Sequence, residues 1–404
     1  MTGAARPWSA ALSMAAASCL VTMVHAAWQF GAAIDLTPPS ATAFPHLDAS
    51  GRKAIAASGE RIALAWEDSR NGAPACHVAI IEPAQPVFGQ HRFGRGECFE
   101  PAVAALPEGR FALIWEDEHG VGVALVTPSG LGPALWLGPR GGQGSLIWHP
   151  SLGLHAAWSG PDGRWRRIWH TRLHITPEGG LVVGDTMPAD PAPVTDDQLQ
   201  PVLTATASGL ALAWEDRRHG HTVIYGSASG DGRNWSSPRR ISQNPTGRIN
   251  NELGRGTGAM RPTLASLGGE RLAAVWLDKR DFLSGYDVYA ALSDDGGLTW
   301  GPNRIAQDSF GDAIAQWHAA AAGDAKGVLA IVWDDERDGS ADIWLTWLRA
   351  DGSYADNVSP AGGPGSQSDP VIVLDAAGSL HLAWIERDGT GSARLRYAVG
   401  QPRP

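Results

Sequence analysis

Cysteine is scarce in this chain, with three residues in 404, which excludes a small scaffold held together by many disulfides. Charge is sparse too. Asp, Glu, Lys and Arg make up 18 % of residues, and the net charge of -10 argues against a nucleic-acid or anionic-membrane partner, since neither polyanion is drawn to an acidic surface. No Cys-x-x-Cys or His pair offers a metal site, and no metal is expected. A P-loop, a zinc motif and a nucleophile elbow are all missing, so no cofactor is expected. Helical 3.6-residue periodicity is absent as well. Beyond residue 26 no segment is apolar enough to cross a bilayer, so no membrane insertion is expected once a leader is removed.

The leader is residues 1–26. Arg6 supplies positive charge, Ala10 to Val24 is uncharged and apolar, and Val24-His25-Ala26 places small residues where signal peptidase needs them. Cleavage is expected near Ala26 or Ala27, leaving one domain over 27–404 in the periplasm or secreted. Two cysteines then remain, Cys76 and Cys98, 22 positions apart. They either pair, with a loop-closure contribution of ~3 kcal/mol, or lie buried as free thiols.

What is abundant is glycine (50), proline (28) and tryptophan (18), within a composition that is 43 % hydrophobic. Many short buried strands joined by tight turns give this profile. An apolar run ending in tryptophan recurs seven times, at Trp66, Trp115, Trp158, Trp214, Trp276, Trp333 and Trp384, followed by an acidic turn in all but the third, which has Ser-Gly-Pro-Asp162-Gly. The spacings are 49, 43, 56, 62, 57 and 51 residues. Each unit opens with another apolar run, usually led by proline as in Pro101-Ala-Val-Ala, and continues with a third β-rich run such as Asp287-Val-Tyr289. Four short strands in roughly 50 residues match a propeller blade. The expected fold is therefore an all-β, seven-bladed β-propeller. A six-bladed ring is the alternative, with the weak third unit as an insertion. The seventh unit stops after its third strand, and Trp28 precedes Ile34 by the spacing that separates Trp235 from Ile241. Residues 28–37 are thus expected to supply the last blade's outer strand and remove an open edge.

Ser293-Asp-Asp295-Gly-Gly297-Leu-Thr299-Trp300 resembles the Asp-box of sialidases and other BNR-repeat proteins, and Ala228-Ser-Gly-Asp-Gly232-Arg-Asn234-Trp235 is a degenerate copy. The resemblance implies a sialidase-like propeller whose working face lies away from the Asp-boxes. It does not carry the sialidase machinery over. No Phe/Tyr-Arg-Ile-Pro segment opens an arginine clamp (Arg52 and Arg61 sit in other contexts), and none of the five tyrosines stands in the context of the nucleophile.

Two sets of charges fall on that working face. Acidic turns such as Glu67/Asp68/Arg70 and Asp334/Asp335/Arg337 repeat in most units, which fits turn closure by an Asp–Arg pair. The residues just before the innermost strands break the repeat: Glu100, Gln200, Arg261, His318 and Asp369. They are expected to ring the channel mouth, with Arg255 and Glu252 from the long link 236–260 and Trp317 as a stacking face for a sugar. Arg261 and His318 together suit a ligand carboxylate or phosphate. The function expected is a binding module for a glycan or protein ligand, acting as a monomer. The alternative is a glycoside hydrolase or lyase, exo-sialidase-like, acting on a carbohydrate at the same mouth.

Overall fold

The computed structural model describes residues 28–47, 53–70, 72–82, 85–127, 130–243, 258–280, 285–308 and 314–403. The leader and the link residues Glu252 and Arg255 lie outside these. Seven antiparallel sheets follow one another along the chain, each of four or five strands. The third unit is a full blade with long strands, Gly142–His149, Gly153–Asp162, Trp165–Ile175 and Leu181–Pro188, and this removes the six-bladed alternative.

The last blade closes as the chain ends predicted. Trp28–Phe30 and Ile34–Asp35 both pair antiparallel with Ala393–Pro402. Trp28 is buried there, and its indole N–H donates to Gly378 O at 2.8 Å. The first strand thus docks where an edge would otherwise hold unpaired backbone groups.

All seven repeat tryptophans are buried between adjacent sheets, where they close-pack with Ala, Val, Leu and Ile of both neighbours. Four of them, Trp115, Trp214, Trp276 and Trp333, donate their indole N–H to the aspartate two positions later. The aspartate at that position holds an arginine in four blades: Asp68 with Arg70, Asp216 with Arg218, Asp278 with Arg280 and Asp335 with Arg337. The blade-four partner is Arg218, not Arg217. The guanidiniums of Arg280 and Arg337 lie 4.0 Å from the ring centres of Tyr289 and Trp344. The repeated turn is therefore a structural clamp of indole, carboxylate, guanidinium and ring. Cys76 and Cys98 are joined, which ties the third strand of blade one to the first strand of blade two.

One expectation needs correction. The rim residues do not precede the innermost strands; those strands start one to three residues earlier, and the rim residues sit inside them at a register shift. The shifts fall at Phe99/Ala102, Leu199/Val202, Met260/Thr263, Trp317/Ala320 and Ser368/Val371. Proline follows the rim residue in four of these strands because a bulge leaves one N–H outside the ladder, so proline gives up no bond there.

Candidate functional site

At each bulge the rim residue adopts a left-handed backbone. Glu100, Gln200, Arg261, His318 and Asp369 have φ between 49° and 56°, and Gln143 of blade three has φ 60°. None is glycine, so each conformation costs about 1–2 kcal/mol unless neighbours hold it.

The holding group comes from the blade before. The acid immediately after the repeat tryptophan accepts the rim residue's backbone N–H. Glu67 takes that of Glu100 at 2.5 Å, Glu116 that of Gln143 at 3.1 Å, Glu215 that of Arg261 at 2.7 Å, and Asp334 that of Asp369 at 3.2 Å. Blade three has Ser159 in place of the acid, and the Gln143 side chain supplies the acceptor for Gln200 N at 2.9 Å. Blade five has Leu277 there instead, and the rim residue that follows is His318.

His318 is the centre of the densest polar cluster on the rim. Its Nδ1 lies 2.9 Å from Asp334 Oδ1, and its Nε2 lies 3.5 Å from Asp369 Oδ1. Burial alone would lower the imidazole pKa, but the bond to Asp334 and the charges of both aspartates raise it above the ordinary histidine value. Arg261 is close enough to oppose that rise. Asp334 is buried, which raises its own carboxyl against the pull of His318 and Asp369 N–H. The arrangement fixes the ring by one nitrogen and leaves the other toward Asp369 on the next blade.

Beside this lies an aromatic shelf. Trp317 is 42 % exposed, and its ring centre is 5.1 Å from that of Tyr286. Lys279 Nζ sits 5.4 Å from the Tyr286 ring. Burial and the nearby Glu215 raise the Tyr286 phenol, while Arg261 lowers it. Blades four to seven therefore meet in one patch of Glu215, Arg261, Tyr286, Trp317, His318 and Asp369.

Of the residues singled out from sequence, Arg261, His318, Asp369 and Trp317 fall in this patch. Glu100 and Gln200 occupy the same rim register on blades two and four. Four members of the site were missed. Tyr286 lies in a connection without a repeat signature, although tyrosine is rare in the chain, while Lys279 and Glu215 sit within repeated turns. Asp334 stands at a repeated turn position, which reads as turn closure, yet in blade six it orients a histidine. Lys53 is a further rim-strand residue missed: it stands where four blades have proline, its carbonyl accepts Val103 N–H at 2.7 Å, and burial pushes its amine down to about 8.

Among the described residues, no cluster of three or more His, Cys, Asp and Glu is placed to hold a metal ion. No helix there is long and apolar enough to cross a membrane. No family model matches the sequence, and no curated protein matches it. Solved structures with the same fold include the polysaccharide lyase Uly1, at 9 % identity and a TM-score of 0.56, covering 87 % of this chain and 90 % of that one. The β-propeller domain of the Trilobed protease from Pyrococcus furiosus gives 11 % identity and a TM-score of 0.52, covering 89 % and 95 %. The NanB sialidase from Streptococcus pneumoniae gives 9 % and 0.47, covering 94 % and 69 %. The class is thereby defined: a seven-bladed β-propeller. Likeness at this identity is one of fold, and propellers host many activities.

Proposed function

We propose that this is an exported propeller that binds an acidic glycan across blades five to seven, at the mouth of its channel. The observation that carries the proposal is the exposed Trp317 ring set beside Arg261 and His318. A flat aromatic face suits the C–H side of a sugar ring, and a guanidinium with an imidazole beside it suits its carboxylate. Asp369 and the rim amides offer acceptors and donors to hydroxyls. Export is supported by the apolar leader and by the Cys76–Cys98 bond, which needs an oxidising compartment to persist. The fold shared with the polysaccharide lyase Uly1 supports a saccharide ligand by analogy only.

The test is a titration of uronate-containing and neutral oligosaccharides against the mature chain. Arg261→Ala is expected to weaken binding of the uronate ligands by ~1–3 kcal/mol, the range for a hydrogen bond to a charged group, with little loss for neutral ones. Trp317→Ala should weaken both. Equal binding of all three proteins would place the ligand elsewhere.

One observation favours catalysis at the same place. An imidazole oriented by a buried carboxylate through Nδ1 is the usual disposition of a general acid or base. The same titration, followed for a rise in ultraviolet absorbance from a new C=C bond and for new reducing ends, separates lyase and hydrolase activity from binding alone.

A further inference from the structure

Blade three is the one repeat unit whose tryptophan is not followed by an acidic turn. Ser159-Gly160-Pro161 stands where blade four has Glu215-Asp216-Arg217. In four other blades the residue two after the tryptophan is an aspartate that accepts the indole N–H, so the place beside that nitrogen belongs to a carboxylate. In blade three it is Gly160, and Trp158 borders a cavity of about 310 Å³ between blades two and three. The link 139–141 between these blades forms one side, which puts the cavity on the face that carries the channel mouth.

This cavity presents donors. A Cβ placed on Gly160 would lie 3.2 Å from Trp158 Nε1 and 3.2 Å from Trp169 Nε1, so the two indole nitrogens flank one point. Gly138 approaches from blade two, where a Cβ would come within 2.6 Å of Trp158 Nε1. An indole nitrogen donates and never accepts. The third donor is Arg140, exposed and lining the same cavity. It stands in a turn closed by Gly141 N–H to Gly138 O at 3.2 Å, with Pro139 second and Arg140 third at φ 58°. Glycine is the unstrained choice at that place. An arginine held there is the kind of strained placement that marks a functional position.

The charge around the cavity fits the same reading. The Arg166 guanidinium donates to Arg140 O at 3.3 Å, Ser159 O at 2.6 Å and Ser159 Oγ at 3.0 Å, which ties the turn to blade three. Those acceptors are neutral, so Arg166 adds positive charge beside the site. The acids of this region are engaged: Asp162 with Arg167 at 3.1 Å, and Asp197 with the Arg166 backbone N–H at 2.9 Å. Among the described residues that line the cavity none is acidic. Leu137, Pro139, Pro161 and the half-buried Trp169 ring give apolar faces, and Thr186 adds a hydroxyl.

We propose that this cavity binds a sugar ring bearing an oxyanion, a carboxylate or a sulfate, whose charged group takes from the Trp158 indole the bond that an aspartate takes in four other blades. It is a second site on the channel-mouth face and stands whether or not Trp317 binds a glycan. The mature protein is titrated with methyl glucuronide, glucose 6-sulfate and methyl glucoside, the last being the ring without the anion. Indole N–H signals, assigned by single Trp→Phe variants, are followed by proton–nitrogen correlation NMR. The Trp158 and Trp169 signals should move together and saturate with at least one anion, at concentrations about tenfold below those the glucoside needs. The anion preferred tells carboxylate from sulfate. Arg140→Gly, which suits that φ, should weaken the anion by about tenfold, leave the glucoside as it was and keep the melting temperature. Gly160→Asp, which writes the aspartate of the other blades into blade three, should abolish the anion's shifts. The Trp317 signal reports the other site in the same spectra, so each site is judged by itself. No movement of Trp158 and Trp169, equal affinity for all three probes, or an Arg140→Gly protein that binds as the parent does would each overturn the site. If Gly160→Asp does not fold, the Arg140→Gly titration decides.

Discussion

The cleft between blades three and four and the cleft between blades seven and one begin alike and end differently. In both, a histidine stands three residues before the repeat tryptophan, where the other five blades have alanine. In both, a second ring faces it from the third strand: His170 in blade three, Tyr397 in blade seven. In the first cleft the next blade brings Trp235 onto the pair, and Gly232 of its turn has no side chain because a Cβ there would lie 2.5 Å from the His155 ring. His155 Nδ1 then lies 3.0 Å from His170 Nε2, its own Nε2 faces Leu152 O, and His170 Nδ1 has no partner among the described residues. In the second cleft an aspartate takes up the histidine's second nitrogen, and open volume lies beside the pair. Two polar pairs at equivalent positions are thus sealed in one case and accessible in the other. Among the described residues the difference is Trp235 in the first cleft and Asp375 in the second.

The largest effect should come from the closing strand, because the open cleft depends on it for one wall. Deleting residues 28–37 is expected to lower the melting temperature by more than about 10 °C, since it exposes an edge and removes the buried Trp28. An unchanged melting curve would show that the last blade closes without it. Next in size is Trp235→Ala, which would open the sealed cleft and should cost about 3–5 kcal/mol in urea denaturation. A loss under 1 kcal/mol would mean that this ring is not what distinguishes the two clefts. Replacing both Cys76 and Cys98 by alanine should cost ~3 kcal/mol by releasing a loop constraint between blades one and two.

The two faces of the molecule should also answer pH with opposite sign. Burial pushes His155 down to about 4 and His170 down to about 3, against 6.5 when unfolded. The unfolded chain therefore binds more protons between these values. Stability should be whole above pH 6.5 and fall with acid through that window, by up to about 1.4 kcal/mol per pH unit for each ring. His170→Tyr, which writes the blade-seven pair into blade three, should flatten this acid limb in urea midpoints measured across pH. His318 on the rim is the reverse case. Its pKa is raised by Asp334 and Asp369 against burial, so its imidazolium adds stability below the unfolded value and loses it as pH rises through the folded one. Asp334→Asn should bring the NMR titration of His318 down; an unmoved midpoint would remove Asp334 as the orienting group. This is the smallest of the expected effects on stability.

Much of the architecture was legible in the chain because it is periodic. Seven recurring tryptophans gave seven blades, and the spacing from Trp28 to Ile34 gave the closing strand, since a missing outer strand must be supplied to avoid an open edge. The sequence likewise placed Arg261, His318, Asp369 and Trp317 on one rim, because register within a repeat is conserved by the pleat. It could not say that the rim residues are left-handed bulges held by the preceding blade's acid, because that bond joins residues such as Glu215 and Arg261 across two sheets. Nor could it separate Asp334 from its repeated counterparts: identical positions acquire different work only when a histidine stands opposite. The disulfide was undecided for a similar reason, as two cysteines 22 apart are joined only if neighbouring blades bring them together. Most of all, the cleft that holds the His381–Tyr397 pair is assembled from blades at opposite ends of the chain. Local pattern determined the blades; only the packing of one blade on the next decided what each cleft holds.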